Sequence, residues 1–145
     1  DMIILSCAND LGVAVIRKVL PDIPVTGGGE TPVALALKYG SRISVLGITV
    51  YAPHAYMRMI PAPMILGRPE GVHSTLDLMT PEGKASVLKL GMKLKEQGAE
   101  VIALACTGLA TIGIAKDLEK ETGLPVIDPV MAEGMFAYFE YLRKK

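Results

Sequence analysis

The chain has 145 residues, half of them hydrophobic and 21% charged, with 15 basic against 15 acidic side chains. That length holds one domain or two small lobes around a real apolar core, and no charge block of the kind that binds nucleic acid or an anionic membrane is present. No apolar run approaches the roughly 18 residues of a membrane span, no signal peptide is visible, and two cysteines 99 positions apart are not a secreted disulfide framework, so a reducing cytoplasm is the expected setting.

Short aliphatic runs alternate with helical patterns, which predicts βα units and a parallel sheet. The run MIILS, 2–6, predicts a buried strand that ends at Cys7. Leu11, Val15 and Val19 have the spacing of a helix with one apolar face. IPVTG, 23–27, predicts a short strand. Thr31 and Pro32 read as the N-cap and first residue of a helix that runs to about Tyr39 and stops at Gly40. RISVLGIT, 42–49, is the next strand, ending near Thr49. Residues 50–79 read as irregular, rich in Pro, Met and Gly and holding both histidines. A connection of that length is more often functional than idle. Thr80-Pro81 opens a helix that reaches Gln97 and is stopped by Gly98. VIALA, 101–105, is a strand leading into Cys106, ATIGIAKDLEKET, 110–122, a helix closed by Gly123, and LPVI, 124–127, a strand. Asp128-Pro129 caps a last helix, whose basic end, Arg143-Lys144-Lys145, suits a helix C-terminus.

The chain also aligns with itself. Residues 1–7 fall over 100–106, which superposes Cys7 on Cys106. Small insertions in the second copy then place IPV, 23–25, over LPV, 124–126, and Glu30 over Glu133. Each copy reads as strand, thiol, helix, strand, helix. Two lobes related by a pseudo-twofold axis would set both thiols at carboxyl ends of parallel strands, facing each other across one cleft.

Two facing thiols can invert a carbon acid. One removes a proton from one face and the other returns a proton to the opposite face. Cysteine suits both roles because its ordinary pKa of about 8.5 is close to working pH. A helix N-terminus just after each cysteine would lower that pKa and hold the developing enolate oxygen. Small polar residues follow each thiol: Asn9 after Cys7, Thr107 and Gly108 after Cys106.

Other candidate groups carry less. Cys7, His54, His73 and Cys106 match no compact zinc spacing, so no metal is expected. Gly27-Gly28-Gly29 matches neither a Walker loop nor Gly-x-Gly-x-x-Gly, and a tight turn into the following helix is its expected role. Tyr51 and Tyr56 either line a pocket or pack. Met57, Met59, Met64 and Met79 are expected in core or lid packing. For Glu30 and Glu133, partial helix capping is expected ahead of catalysis.

SCAND (6–10), ACTG (105–108), LPVIDPV (124–130) and DIPVTGGGETPVALA (22–36) resemble the aspartate/glutamate/hydantoin racemase superfamily, with the last segment closest to the hydantoin racemase branch. The resemblance covers nearly the whole chain except 50–79. It implies an α/β fold of two pseudo-symmetric flavodoxin-like lobes with parallel sheets, divided as 1–39 plus 130–145 and 40–129. It implies cofactor-independent racemisation or epimerisation at a carbon next to a carbonyl. Cys7 and Cys106 carry over as the catalytic pair, and Asn9, Thr49, Thr107 and Gly108 as substrate-binding residues. The implied partner is a small molecule: a hydantoin, an amino acid or a dicarboxylate-like compound. A homo-oligomer is expected, with no nucleic acid or membrane as partner. Alternatives are a maleate-type isomerase with one nucleophilic cysteine, and a ligand-binding protein without catalysis. Gly108 stands where glutamate racemases carry a histidine, which argues against glutamate. SCAND also departs from the Cys-Asn-Thr of amino-acid racemases. Family members begin with two strand–helix units before the first cysteine, so the first lobe is expected to be N-terminally incomplete and the protein roughly 60–80 residues longer. The apolar strand at 2–6 is expected to lie inside a sheet, its edge covered by further residues or another subunit.

Overall fold

The structure is a computed structural model that describes residues 1–61 and 63–144. Ala62, in the stretch read as irregular, and Lys145, at the expected basic end of the last helix, lie outside the described residues.

Four parallel strands form the main sheet: β3 (Ile43–Leu46), β4 (Ile65–Gly67), β5 (Val101–Leu104) and β6 (Val126–Ile127), in the order β4-β3-β5-β6. The two central strands pair from Ile43 opposite Val101 to Leu46 opposite Leu104. Their residues alternate between two cores, as a strand's period of two requires. Ile43, Val45, Val101 and Ala103 pack against α2 (Glu30–Ala36) and α3 (His54–Met59). Leu46, Ile102 and Leu104 pack on the other face against α4 (Pro81–Glu96) and α6 (Ile114–Thr122). Helices on both faces are what continuous apolar strands such as VIAL call for. Ser44 is a polar residue in this layer, and its hydroxyl donates to the Val101 carbonyl at 3.0 Å.

A smaller sheet pairs β1 (Ile3–Leu5) with β2 (Val25–Gly27), parallel, Ile3 opposite Val25 and Leu5 opposite Gly27. It is joined to the main body by α2 and by α7 (Pro129–Arg143), which pack on each other, α7 also reaching β2. The strand expected inside a sheet has one neighbour here, and Ile4 is 42% exposed. The helix predicted from the spacing of Leu11, Val15 and Val19 is α1 (Val13–Val19), which starts after Leu11; those three residues are 73%, 63% and 69% exposed, whereas Val13 is buried.

Capping explains the helix boundaries. Thr80 Oγ1 accepts the Gly83 N–H at 3.0 Å and Pro81 follows it, so α4 starts where the sequence places it. Asp128 Oδ1 accepts the N–H groups of Val130 and Met131 and opens α7 in the same way. Thr31 does not cap its helix. It lies inside α2, and its hydroxyl donates backwards to the Gly27 carbonyl at 2.9 Å. Residues 50–79 are not irregular either: they hold α3, β4 and a short 3-10 turn at Asp77–Met79. These pieces are too short for a period to show among the prolines. The single helix expected at 110–122 is two, α5 (Thr107–Thr111) and α6, parted at Gly113, whose φ of 66° ends one helix and opens the next.

Candidate active site

β1 and β5 each carry a cysteine just beyond their carboxyl ends, and neither thiol is in a disulfide. Cys7 is exposed. Its N–H donates to the Leu5 carbonyl at 2.8 Å, and its carbonyl accepts the Asp10 N–H at 3.1 Å, closing a tight turn. Asp10 has a φ of 54°, the one positive φ outside glycine among the described residues. Its carboxylate accepts the Gly29 N–H at 2.7 Å, which holds the turn against β2 and caps the start of α2.

The three glycines 27–29 exist to let this turn approach. A Cβ on Gly27 would lie 2.1 Å from Asp10 Oδ1, and one on Gly29 2.3 Å from the Ala8 carbonyl oxygen. A Cβ on Gly28 would lie 2.4 Å from Glu133 Oε1 and 3.1 Å from the Cys7 nitrogen. The expected tight turn is therefore a packing cradle for the Cys7 loop, built from both ends of the chain. Burial pushes the carboxyl groups of Asp10 and Glu133 above the usual carboxylate range. Hydrogen bonds from the Gly29 N–H and the Ser6 hydroxyl work the other way at Asp10 and Glu133 respectively.

Cys106 is half-buried and is itself the N-cap residue of α5. Burial pushes its thiol up; the N–H groups of Gly108 and Leu109 pull it down, and the charge on Cys7 adds a smaller upward push. The expected helix N-terminus after each cysteine is present at Cys106 and missing at Cys7, where the first helix begins only at Val13. At Cys106 burial outweighs the helix end, so the thiol is raised and not lowered.

The remaining sequence candidates fall around these two turns. Asn9 is exposed in the Cys7 turn and Thr107 is half-buried in the first turn of α5. Gly108 is closed over by the 71–80 segment: a Cβ there would lie 2.9 Å from Thr75 Cγ2 and 3.3 Å from Leu78 Cδ1. Thr49 lies three residues beyond β3, exposed, with its hydroxyl donated to the Tyr51 carbonyl at 2.7 Å. It shares a small crevice with Tyr51 and with Ala105, the residue before Cys106. Tyr56 is fully buried. Its hydroxyl donates to the Leu104 carbonyl at 2.8 Å, and burial, then Asp10 and Cys106, push its ionisation up. His54 and His73 are exposed. Among the described residues no group of three or more His, Cys, Asp and Glu could hold a metal ion. Sequence reasoning missed Asp10, Thr75 and the true setting of Glu133. The recurrence of Glu30 and Glu133 in the repeat was the available signal for the last; Thr75 carries none.

A family model described as Asp/Glu/Hydantoin racemase matches residues 1–133. The chain belongs to this family. Two curated members of known name are similar to it. A hydantoin racemase of Pseudomonas sp. strain NS671 is 30% identical, over 94% of this chain and 57% of its own length. A hydantoin racemase of Paenarthrobacter aurescens is 27% identical, over 91% and 58%. The chain therefore spans under three fifths of these relatives. Among solved structures, an allantoin racemase from Pseudomonas fluorescens superposes with a TM-score of 0.76 at 23% identity, covering 95% of this chain and 60% of that one. At that identity the likeness is one of fold: α/β, with parallel sheets, in a family whose solved members have two lobes.

Proposed function

We propose that this chain carries the paired thiols of a cofactor-independent racemase or epimerase that moves a proton at a carbon next to a carbonyl. The observation that carries this reading is the placement of two free cysteines just beyond the carboxyl ends of parallel strands in separate sheets, at equivalent points of an internal repeat. One cysteine, as thiolate, takes the Cα proton, and the bonding electron pair moves into the carbonyl to give an enolate. The other, as thiol, gives its proton to the opposite face. The roles exchange for the mirror-image substrate, so the thiols supply both the acceptor and the donor and the scheme uses no cofactor.

Asn9, Thr107 and Gly108 border the two thiols and are proposed to hold the substrate, with Thr49 beside them at the Ala105 crevice. The substrate is proposed to be a hydantoin or an amino-acid-like compound. Thr75 and Leu78 fill the space over Gly108 that a larger side chain would need, which supports a substrate read without a histidine at that position. The test is racemisation of the separate enantiomers of 5-isopropylhydantoin in D2O, followed by polarimetry and by deuterium at Cα. Cys7→Ala and Cys106→Ala should each lower racemisation by about 10²–10⁴-fold, the usual worth of a positioned acid or base. Undiminished turnover in the double variant would sink the reading. A stable adduct on one cysteine would mark a covalent isomerase instead.

A further inference from the structure

Glu133 is an acidic side chain in a place where acids are rarely found. It belongs to the second copy of the repeat, on the second turn of α7, and is 3% exposed. It crosses to the first copy, where its Oε2 accepts the Ser6 hydroxyl at 3.0 Å, a contact between residues 127 positions apart. Its Oε1 is buried with no hydrogen-bond partner. The backbone of Cys7 is beside it: a single methyl on Gly28 would touch both Oε1 and the Cys7 nitrogen. Asp10 flanks the same turn from the other side, and its Oδ2 is also buried without a partner. Among the described residues, the side chains that act on Glu133 are Ser6, Asp10 and Asp128, none of them basic. An ionised carboxylate in this position would face two other acids.

We propose that Glu133 is a positioning residue for Cys7, acting through Ser6 and the Cys7 backbone, and that it does so as a neutral carboxyl group. Its place in the fold gives it this role. The Cys7 loop stands on a sheet of two strands among the described residues, and Glu133 is a polar link from the last helix to the end of the strand that leads to the thiol. The upward push of burial on its carboxyl agrees with the neutral form. Cys106 is held separately, beyond the end of β5 and by the Leu109 N–H, which donates to its carbonyl at 3.0 Å. The link therefore acts on one thiol of the pair. This inference rests on the two-thiol reading for its functional meaning, but its structural content does not.

The experiment is site-resolved alkylation with iodoacetamide, read by peptide mass spectrometry across pH, for the wild type, Glu133→Gln, Glu133→Ala and Ser6→Ala. Gln keeps an oxygen for the Ser6 hydroxyl and carries no charge. The Gln variant should therefore leave both rates within about twofold of wild type. Glu133→Ala should change the Cys7 rate by about fivefold or more and leave Cys106 within about twofold. Ser6 is exposed, so Ser6→Ala threatens no core, and it should move Cys7 in the same direction. An unmoved Cys7 in either Ala variant, equal changes at both cysteines, or Gln behaving as Ala would overturn the proposal. In D2O, Glu133→Ala should lose racemisation while still exchanging the Cα proton of one hydantoin enantiomer, since Cys106 alone can remove it. Full racemisation by the cysteine double variant would instead sink the two-thiol reading, and the alkylation result would stand apart from it.

Discussion

A buried carboxyl group is penalised when it ionises, so Glu133 couples folding to pH with an unusual sign. Its folded-state pKa is raised above the unfolded value of about 4.3, mainly by burial and further by Asp10 and Asp128. Its contribution to stability is therefore complete below that unfolded value and is lost as pH rises through the folded one. Glu133→Gln cannot ionise and escapes the loss. Urea midpoints of wild type and Glu133→Gln at pH 4 and pH 8 should show the difference moving in favour of Gln at the higher pH. Asp77 and Glu100, whose pKa values are lowered by backbone N–H groups, titrate the opposite way but are common to both proteins and cancel. A difference independent of pH would mean that Glu133 ionises as it would in water. The thiol pair was visible in the sequence because cysteine is scarce there and occurs at equivalent points of a repeat. The acids were not, since Glu133 meets Ser6 across 127 positions and Asp10 reaches Gly29 across 19, and neither contact leaves a local pattern.

At the scale of elements, legibility followed capping and length. α4 and α7 were read to within a residue or two because Thr80-Pro81 and Asp128-Pro129 mark their starts with side chains that accept backbone N–H groups. α3 and β4 have six and three residues, too few for a period to emerge, and their stretch was read as irregular. The break between α5 and α6 was missed because one glycine in an apolar helical pattern reads as tolerated. Its backbone decides otherwise. Gly113 has a φ of 66° and no atom within 4 Å of the position a Cβ would take, so any cost of substitution is conformational. Gly113→Ala should destabilise by about 1–2 kcal/mol, the penalty of the left-handed region for a residue with a Cβ. Gly134 also has open space around it but lies inside α7 without a positive φ. Gly134→Ala should stabilise by about 0.8–1 kcal/mol through helix propensity alone. Urea denaturation of the two variants would show opposite signs; a loss in both would mean that the space around Gly134 is occupied.

The whole molecule is lopsided. The main sheet is covered on both faces, but the two-stranded sheet and its helix show apolar side chains to solvent. Ile4, Leu11, Val15 and Val19 are exposed on β1, the Cys7 turn and α1. Met131, Met135, Phe139 and Leu142 are exposed along α7. Single exposed apolar residues are ordinary, but several together on α1, the turn before it and α7 form a surface for association. Each Val or Leu fully buried from that face contributes about 1.5–3 kcal/mol, which is enough for a few such residues to decide an assembly. Self-association of the chain through this face is the expected outcome. Sedimentation velocity should show a weight-average mass that rises with concentration above the 15.4 kDa of one chain. Val15→Lys with Val19→Lys should shift that rise to higher concentration, because charge on an apolar contact face opposes pairing, while a charge-matched pair on exposed positions of α4, Ala85→Lys with Met92→Lys, should not. α1 packs chiefly on β2, outside the main sheet, so the lysines should leave the unfolding free energy from urea denaturation within about 0.5 kcal/mol of wild type. A mass that stays at one chain across the concentration range, or an association indifferent to the α1 lysines, would place the contact elsewhere.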